Sequence, residues 1–525
     1  MQVKSILLIL ICHCLTVTTV MAQYSNNDLG AVLFGETYFL KPKDSIRFRL
    51  WQSPFEMRKN ESSTIDSLIR YDNPHFFKGT FNPKSRDFSL DIPAHQLPAW
   101  ISFEDPIDGF SYGPYLLSRG DSIKIKFDQI NQQVLFAGPS RHSFEMVSQM
   151  NALIERSIFE SPAMLDFSVS GMPGQEALEI IRDNNLKFRR KVIPIHQRTG
   201  RIDMMKSNLG PLRSDEFGFL QEYYKSKVPE HVFNAVMADT YSKVHYKNMY
   251  SFNNYNIKDI LDNAPELLGE FAKAFDEMEQ EIERFSRQFD PSLSPNYLKM
   301  QEYRMRSKAT LTGRSVLEVS GEVEPETALR EAVLTSYFLD KNVLVAIGVK
   351  DFGTFLSELE NREFRELLEP WYIAASPGLP VPSFPFLDRH GNEVSMTDFS
   401  GRVVLLETWL AGCAACKFFT ETQMDRLAEK YRNDPEVAFV SVSLDRKREL
   451  WDRHRDSGIF VSKDMLHLWT GREDRASEHP YLSYFNITSA PQLQLIDKNG
   501  KLTGLGISDR TCEGISAEIE KLKIR

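Results

Sequence analysis

The stretch GRVVLLETWLAGCAAC, residues 401–416, decides the fold of the last third of this chain. Its residues 403–406 form a continuous apolar run, which suits a central strand covered on both faces. Cys413 and Cys416 follow in C-x-x-C spacing, at the start of a segment with helical periodicity, and a second apolar run occupies 437–442. The order strand, helix, strand predicts a βαβ unit with the cysteine pair between its first strand and its helix.

This placement favours thiol chemistry. Unsatisfied backbone N–H groups and the helix dipole at a helix N-terminus favour a negative sulfur at Cys413. A thiol with a lowered pKa is partly thiolate near neutral pH, and only the thiolate attacks a disulfide. Cys416 lies one helical turn further on the same face, so it can attack a mixed disulfide at Cys413 and release the partner. The pattern predicts thiol–disulfide exchange.

Two other interpretations of the pair remain open, a zinc half-site and a static disulfide. A zinc site would need a second ligand pair at matching spacing, and His454, His467 and His479 show none. The C-x-x-C pair in a βαβ setting favours redox chemistry over both.

The region from about Pro377 to the C-terminus resembles the TlpA-like thioredoxin-fold disulfide reductases. Residues 401–416 resemble the family signature, residues 382–384 and 399–401 resemble its lead-in, and residues 487–497 resemble its cis-proline strand. The resemblance implies a thioredoxin-like α/β fold and reduction of protein disulfides. We expect no cofactor and no metal ion.

The resemblance also implies roles for individual residues. Cys413 would be the nucleophile and Cys416 the resolving thiol. The Ala490–Pro491 peptide bond would be cis, which exposes backbone beside the sulfur so that an extended substrate can pair with it. Ala490 and Pro491 are therefore predicted to bind substrate.

Two further residues of the signature are candidates. Glu407 stands where thioredoxin-like sequences carry a buried acid, which would have a raised pKa and could relay the proton of the resolving thiol. The alternative is an exposed glutamate at a strand end. Trp409 aligns with a family aromatic behind the active site and is predicted to contribute to substrate binding, an interpretation compatible with core packing.

The signature departs from the family pattern at the cysteines. Gly412 replaces the usual tryptophan, and Ala414 and Ala415 replace the usual Gly-Pro pair. Both changes can alter the redox potential, and they leave reductase, oxidase and isomerase activity as alternatives. Because no histidine lies between the cysteines to stabilise the thiolate strongly, we expect a reductant.

The N-terminus resembles an export signal. Lys4 supplies a positive end, residues 6–20 are largely apolar, and Val20-Met21-Ala22 offers small or aliphatic groups for cleavage. Residues 1–22 are therefore predicted to be a secretory signal peptide, with a retained anchor as the alternative. The predicted location is the periplasm or cell envelope.

The remaining chain is predicted to hold several domains. Alternation at period two indicates a β-rich, sandwich-like domain over 23–140, and apolar residues at three- and four-residue steps indicate an α-helical domain over 141–373. A Pro-rich linker over 374–383 precedes a thioredoxin-like domain over 384–525. This order of domains also resembles secreted proteins of Bacteroidetes-type bacteria.

The net charge excludes one class of function, and the remaining cysteine is assigned a structural role. The formal net charge of −9 argues against general nucleic-acid affinity. Cys512 is predicted to be a buried structural thiol, with a third redox thiol as the alternative.

The expected partners are protein thiols and disulfides and, from the resemblance, a membrane electron donor. The alternative functions are a peroxiredoxin-type thiol peroxidase, whose Pro–Thr motif is absent, and a non-catalytic envelope binding protein.

Overall fold

The structure, a computed structural model, describes part of the chain. The described residues are 29–38, 45–58, 65–72, 85–105, 111–128, 130–131, 133–168, 179–180, 182, 192–339, 350–376, 378, 380–471, 479–485, 487, 489–503 and 511–524. The predicted signal peptide over 1–22 lies outside them, as do Pro377 and Leu379 of the predicted linker. Among the described residues, no helix is both long enough and apolar enough to cross a membrane.

The chain divides into two compact units, residues 1–329 and residues 330–525. The first unit holds the β-rich segments and most of the helices, and the second holds the remaining helices and the region around the cysteine pair. The helices after residue 330 therefore belong to the same compact unit as the thioredoxin-like region. The domain boundaries derived from the sequence stay a prediction.

Among the described residues of the first unit, eight strands form two four-stranded sheets, in the orders β4-β1-β7-β8 and β3-β2-β5-β6. The strands are β1 (Ala31–Tyr38), β2 (Ser45–Trp51), β3 (Ile65–Arg70), β4 (Ser85–Ile92), β5 (Ala99–Glu104), β6 (Ser111–Leu117), β7 (Ser122–Asp128) and β8 (Gln133–Ala137).

Apolar side chains at every second position hold these sheets together. In β2 the residues Ile46, Phe48 and Leu50 are buried, while Ser45, Arg47 and Arg49 between and before them are partly exposed. The rings of Phe103 in β5 and Phe127 in β7, from different sheets, lie 5.3 Å apart between centroids. The two sheets therefore pack face to face around an aromatic core.

Helices dominate the rest of the first unit. They are α2 (Arg141–Glu160), α3 (Gly200–Asn208), α4 (Asp215–Lys225), α5 (Glu230–Ser251), α6 (Ile257–Asn263), α7 (Leu268–Gln288), α8 (Pro295–Thr312), α9 (Val316–Val323) and α10 (Thr327–Phe338), with a short α1 (Pro54–Arg58) among the strands. The helical region also contains two short parallel strands, β9 (Ala163–Asp166) and β10 (Val192–Ile195), which the sequence analysis did not predict. Four residues are too few to establish an alternating pattern.

The second unit places helices ahead of a six-stranded sheet. Its helices are the larger part of α10, then α11 (Lys350–Glu358), α12 (Arg362–Ala375), α13 (Ala414–Phe419), α14 (Asp425–Tyr431), α15 (Arg448–His454), α16 (Pro480–Tyr484) and α17 (Cys512–Ile524). Its strands are β11 (Phe386–Leu387), β12 (Glu393–Val394), β13 (Val403–Trp409), β14 (Val437–Ser443), β15 (Leu466–Trp469) and β16 (Gln492–Ile496).

The strand order is β12-β11-β15-β14-β13-β16. β13 pairs in parallel with β14 and antiparallel with β16, and β14 pairs in parallel with β15. All seven residues of β13 are buried, as expected for a central strand. The predicted βαβ unit is confirmed, and β13 and β16 lie side by side so that the cysteine pair and Pro491 meet at one edge of the sheet.

Candidate active site

A short loop connects the buried strand β13 to helix α13. Cys413 is the N-cap residue of that helix, with an extended backbone, and Ala414 is its first helical residue. Gly412 immediately before it has a φ of +85°, a conformation that glycine adopts without the steric cost of a Cβ atom. The glycine found where the family usually has tryptophan therefore allows the turn that presents Cys413.

The cysteine pair forms a disulfide in this structure. The Cα atoms of Cys413 and Cys416 lie 5.2 Å apart. The backbone N–H of Cys416 donates to Sγ of Cys413 at 3.0 Å. Cys416 is fully buried, whereas Cys413 is half-buried. Cys413 is therefore the more exposed cysteine of the pair.

The backbone before Pro491 borders the exposed sulfur. The Ala490–Pro491 peptide bond is cis, as the resemblance implied. Sγ of Cys413 lies 3.6 Å from the carbonyl oxygen of Ala490. The residues predicted to bind substrate and the predicted nucleophile are thus adjacent, although 77 positions separate them in sequence.

A threonine hydroxyl connects the two sides of this site. Oγ1 of Thr408 in β13 accepts a hydrogen bond from the backbone N–H of Gln492 at 3.1 Å. Gln492 follows Pro491 directly, so this bond fixes the start of β16 against the strand that leads to the cysteines. This contact of Thr408 was not predicted from the sequence, because its partner is specified only by the pairing of distant strands.

A buried carboxylate holds the loop before Cys413. The backbone N–H of Ala411 lies 3.1 and 3.2 Å from the two carboxylate oxygens of Asp445, which follows β14. The hydroxyl of Ser443 donates to the same carboxylate at 2.9 Å. Trp469 donates its indole N–H to the backbone carbonyl of Asp445 at 2.7 Å. Asp445 is a positioning residue that the sequence analysis also missed.

Glu407 lies in β13 with no exposed surface. Side chains alternate along a strand, so Glu407 shares a face of the sheet with Leu405 and Trp409, the face on which Cys416 also packs. Neither carboxylate oxygen has a hydrogen-bond partner among the described residues. Burial, with a smaller contribution from the charge of Asp425, raises the pKa of Glu407 to about 8.

Trp409 and Cys512 both contribute to the core of this unit. Trp409 has no exposed surface and belongs to the same apolar cluster as Cys416. A direct contact of its ring with substrate therefore stays a prediction, and its observed role is packing behind the cysteine pair. Cys512 is a buried free thiol in the same cluster.

Within the described ranges, no group of His, Cys, Asp and Glu side chains could hold a metal ion.

Residues 401–502 match the sequence model of a thioredoxin-like family. The chain is 24% identical over 185 residues to the thiol-disulfide oxidoreductase ResA of Geobacillus thermodenitrificans, in an alignment covering 34% of this chain and 90% of that protein. It is 23% identical over 183 residues to ResA of Geobacillus kaustophilus, with the same coverage of each chain.

Solved structures from Bacteroides are similar to part of this chain. The thioredoxin domain of a thiol-disulfide oxidoreductase from Bacteroides vulgatus is 24% identical, with 27% of this chain and 98% of that chain covered and a TM-score of 0.23. A thiol-disulfide oxidoreductase from Bacteroides fragilis is 20% identical, with 27% and 99% covered and a TM-score of 0.24.

The match of residues 401–502 to the thioredoxin-like family model and the similarity to ResA support an oxidoreductase enzyme with a thioredoxin-like domain. The same two findings support the TlpA-like character that the sequence indicated.

Proposed function

We propose that this protein is an extracytoplasmic thiol–disulfide oxidoreductase that reduces protein disulfides with Cys413 and Cys416. The observation that carries the proposal is the position of Cys413 as N-cap of α13, with its sulfur 3.0 Å from the amide nitrogen of Cys416. A backbone N–H and a helix N-terminus both stabilise a thiolate at that sulfur.

The reaction has two steps. The Cys413 thiolate attacks a disulfide of the partner protein, forms a mixed disulfide and releases the first partner sulfur as a thiolate. The Cys416 thiol loses its proton and attacks Sγ of Cys413, so that the intramolecular disulfide forms and the second partner sulfur leaves. The partner gains two electrons, and the cysteine pair takes the oxidised form present in this structure.

The backbone at Ala490 supplies the docking edge. Its carbonyl oxygen, 3.6 Å from Sγ of Cys413, can accept a hydrogen bond from an extended substrate segment while the substrate sulfur reaches Cys413. Because the pKa of Glu407 is about 8, only a minority of molecules carry it ionised near pH 7. In this scheme that carboxylate accepts the proton of Cys416, which packs on the same buried face of the sheet.

The reducing direction and the location rest on the sequence. No histidine between the cysteines stabilises the thiolate strongly, which favours a reductant. The signal-like residues 1–22 favour export to the periplasm or cell envelope, where a membrane electron donor would restore the reduced pair.

A disulfide-reduction assay with a model protein such as insulin tests the proposal. The full-length protein, with dithiothreitol as electron source, is expected to accelerate insulin reduction, and Cys413→Ser is expected to abolish the acceleration. A wild-type protein without activity, or a Cys413→Ser variant with full activity, contradicts the proposal. The Cys512→Ser variant is the matched control and should retain activity, because that thiol is buried.

A parallel assay with hydrogen peroxide separates the proposal from a thiol peroxidase. We expect peroxide consumption no faster than that of an ordinary thiol. Peroxide consumption that depends on Cys413 and exceeds disulfide reduction would replace the reductase assignment.

A further inference from the structure

Three polar residues form a row across the buried face of the second unit's sheet. Glu407 in β13 is paired in register with Ser441 in β14, and Ser441 is paired in register with His467 in β15. Side chains at paired positions of neighbouring strands project from the same face. The three side chains therefore lie beside one another, on the face where Cys416 also packs.

Two members of the row are already hydrogen-bonded. Oγ of Ser441 and Nδ1 of His467 lie 2.8 Å apart. Glu407 and Ser441 have no exposed surface, whereas His467 is 8% exposed. The row therefore runs from a fully buried carboxyl group towards a residue that keeps a small exposed surface.

The charges around the two ends differ. Asp425 in α14 acts on Glu407, while Asp456, Arg389 and Arg455 act on His467. Burial lowers the pKa of His467 to about 4, so its imidazole is neutral near pH 7 and one of its nitrogens can accept a proton.

A buried acid that receives the proton of Cys416 needs a way to release it. Both oxygens of Glu407 are without hydrogen-bond partners among the described residues, and the side chain has no contact with solvent. Ser441 is the hydroxyl-bearing neighbour of Glu407 in register on the adjacent strand β14.

We propose that Ser441 and His467 form a proton path between Glu407 and solvent. This inference rests on the proposed disulfide exchange and assigns two positioning residues to its second step. The path uses no group outside this chain except water and the partner disulfide.

The transfer starts from the ionised minority of Glu407, whose pKa is about 8. Cys416 gives its thiol proton to that carboxylate, and the Cys416 thiolate forms the bond to Cys413 while the partner thiolate leaves and takes a proton from water. The Glu407 carboxyl then donates its proton to Oγ of Ser441 as the Ser441 hydroxyl donates to Nδ1 of His467. His467 releases a proton from Nε2 to water. Reduction of the disulfide reverses the transfer and restores the original tautomer.

Single-turnover kinetics of the full-length protein test this path. Reduced protein is mixed with excess insulin, quenched with acid at intervals and analysed by mass spectrometry, which separates the mixed disulfide from the product disulfide. Ser441→Ala and His467→Gln are each expected to slow conversion of the mixed disulfide at least five-fold at pH 7. Formation of the mixed disulfide should stay within two-fold of wild type.

Conservative and control variants distinguish a proton path from a packing effect. Ser441→Thr keeps the hydroxyl and should retain at least half the wild-type conversion rate. The double variant Ser441→Ala/His467→Gln should be no slower than the slower single variant, because both residues serve one path. Ser516→Ala, at a buried serine of α17, and His454→Gln, in α15, should leave both steps unchanged.

Conversion within two-fold of wild type in either Ser441→Ala or His467→Gln overturns the path. Equal slowing of both steps also overturns it, because that result indicates a general disturbance of the site. A wild-type protein that forms no mixed disulfide contradicts the proposed function itself, so failures of the two proposals can be told apart.

Discussion

Glu407 makes the stability of the second unit depend on pH. Its pKa is raised from 4.5 to about 8 by burial, so the folded chain keeps the proton over a range in which the unfolded chain has released it. Below pH 4.5 the carboxyl is neutral in both states and costs nothing through ionisation. Between these two values stability falls as pH rises, and above about pH 8 the penalty is constant.

The Glu407→Gln variant should remove that dependence. At pH 7 the penalty corresponds to about 3 kcal/mol, so the variant is expected to be more stable by as much as that amount. Urea unfolding of both proteins at pH 5, 6, 7 and 8 measures the difference, which should widen with pH. A difference that stays constant across this range contradicts the raised pKa.

The same substitution should slow catalysis near neutral pH. Glutamine cannot accept the proton of Cys416, and loss of a general base of this kind is expected to cost about 100-fold or more in the rate of mixed-disulfide resolution. The matched control is Glu421→Gln, at an exposed glutamate in an ion pair with Lys417. An unchanged rate in Glu407→Gln removes the proposed role of this carboxyl.

At the scale of elements, the pairing of β13 with β16 sets the position of the substrate edge. In the Thr408→Val variant the N–H of Gln492 loses its acceptor in a buried environment, which is expected to cost about 1–3 kcal/mol. Mixed-disulfide formation should slow by several-fold, because the Ala490 backbone would no longer be fixed beside Cys413.

Thr420→Val is the matched control for that variant. The hydroxyl of Thr420 is buried without a hydrogen-bond partner among the described residues, so its replacement by a methyl group should leave stability nearly unchanged. Urea unfolding and the single-turnover assay measure both variants. Equal effects of the two substitutions would show that the bond to Gln492 has no special role.

The loop between β13 and α13 is likewise held by a hydrogen bond, from the Ala411 N–H to the carboxylate of Asp445 after β14. Asp445→Ala removes the acceptor for the Ala411 N–H and is expected to destabilise the unit by about 2 kcal/mol, with faster hydrogen exchange at the Ala411 amide. Asp445→Asn keeps one acceptor oxygen and should show a smaller effect. Unchanged exchange at Ala411 in the alanine variant contradicts the positioning role.

The elements differ in how far the sequence could predict them. The apolar run of β13 and the adjacent cysteines can be recognised from the sequence, because each of these patterns lies within a few residues. The bonds from Thr408 to Gln492 and from Asp445 to Ala411 join residues 84 and 34 positions apart. Strand register creates those contacts, and no local pattern encodes it. The signature identifies Glu407 as a candidate, but only the folded structure shows that its side chain is buried.

At the scale of the whole molecule, residues 1–329 and 330–525 form separate compact units. Each has buried aromatic and aliphatic residues of its own, with Phe103 in the first and Leu427 in the second. A unit with its own core is expected to unfold in its own cooperative transition.

Core substitutions should therefore act on one transition at a time. Phe103→Ala is expected to lower the midpoint temperature of the first unit's transition only, and Leu427→Ala that of the second unit's transition only. Each substitution should reduce the free energy of unfolding of its own unit by about 2–5 kcal/mol. Differential scanning calorimetry of the full-length variants measures both transitions. A joint shift of the two transitions in either variant contradicts independent unfolding.

The central claim is that Cys413 attacks the partner and Cys416 resolves the intermediate. Mass spectrometry of the Cys416→Ser variant after reaction with a disulfide-bearing protein tests this most directly, because the intermediate cannot be resolved by the missing thiol. We predict one stable mixed disulfide, located on Cys413. No covalent adduct, or an adduct located on Cys512, would contradict it.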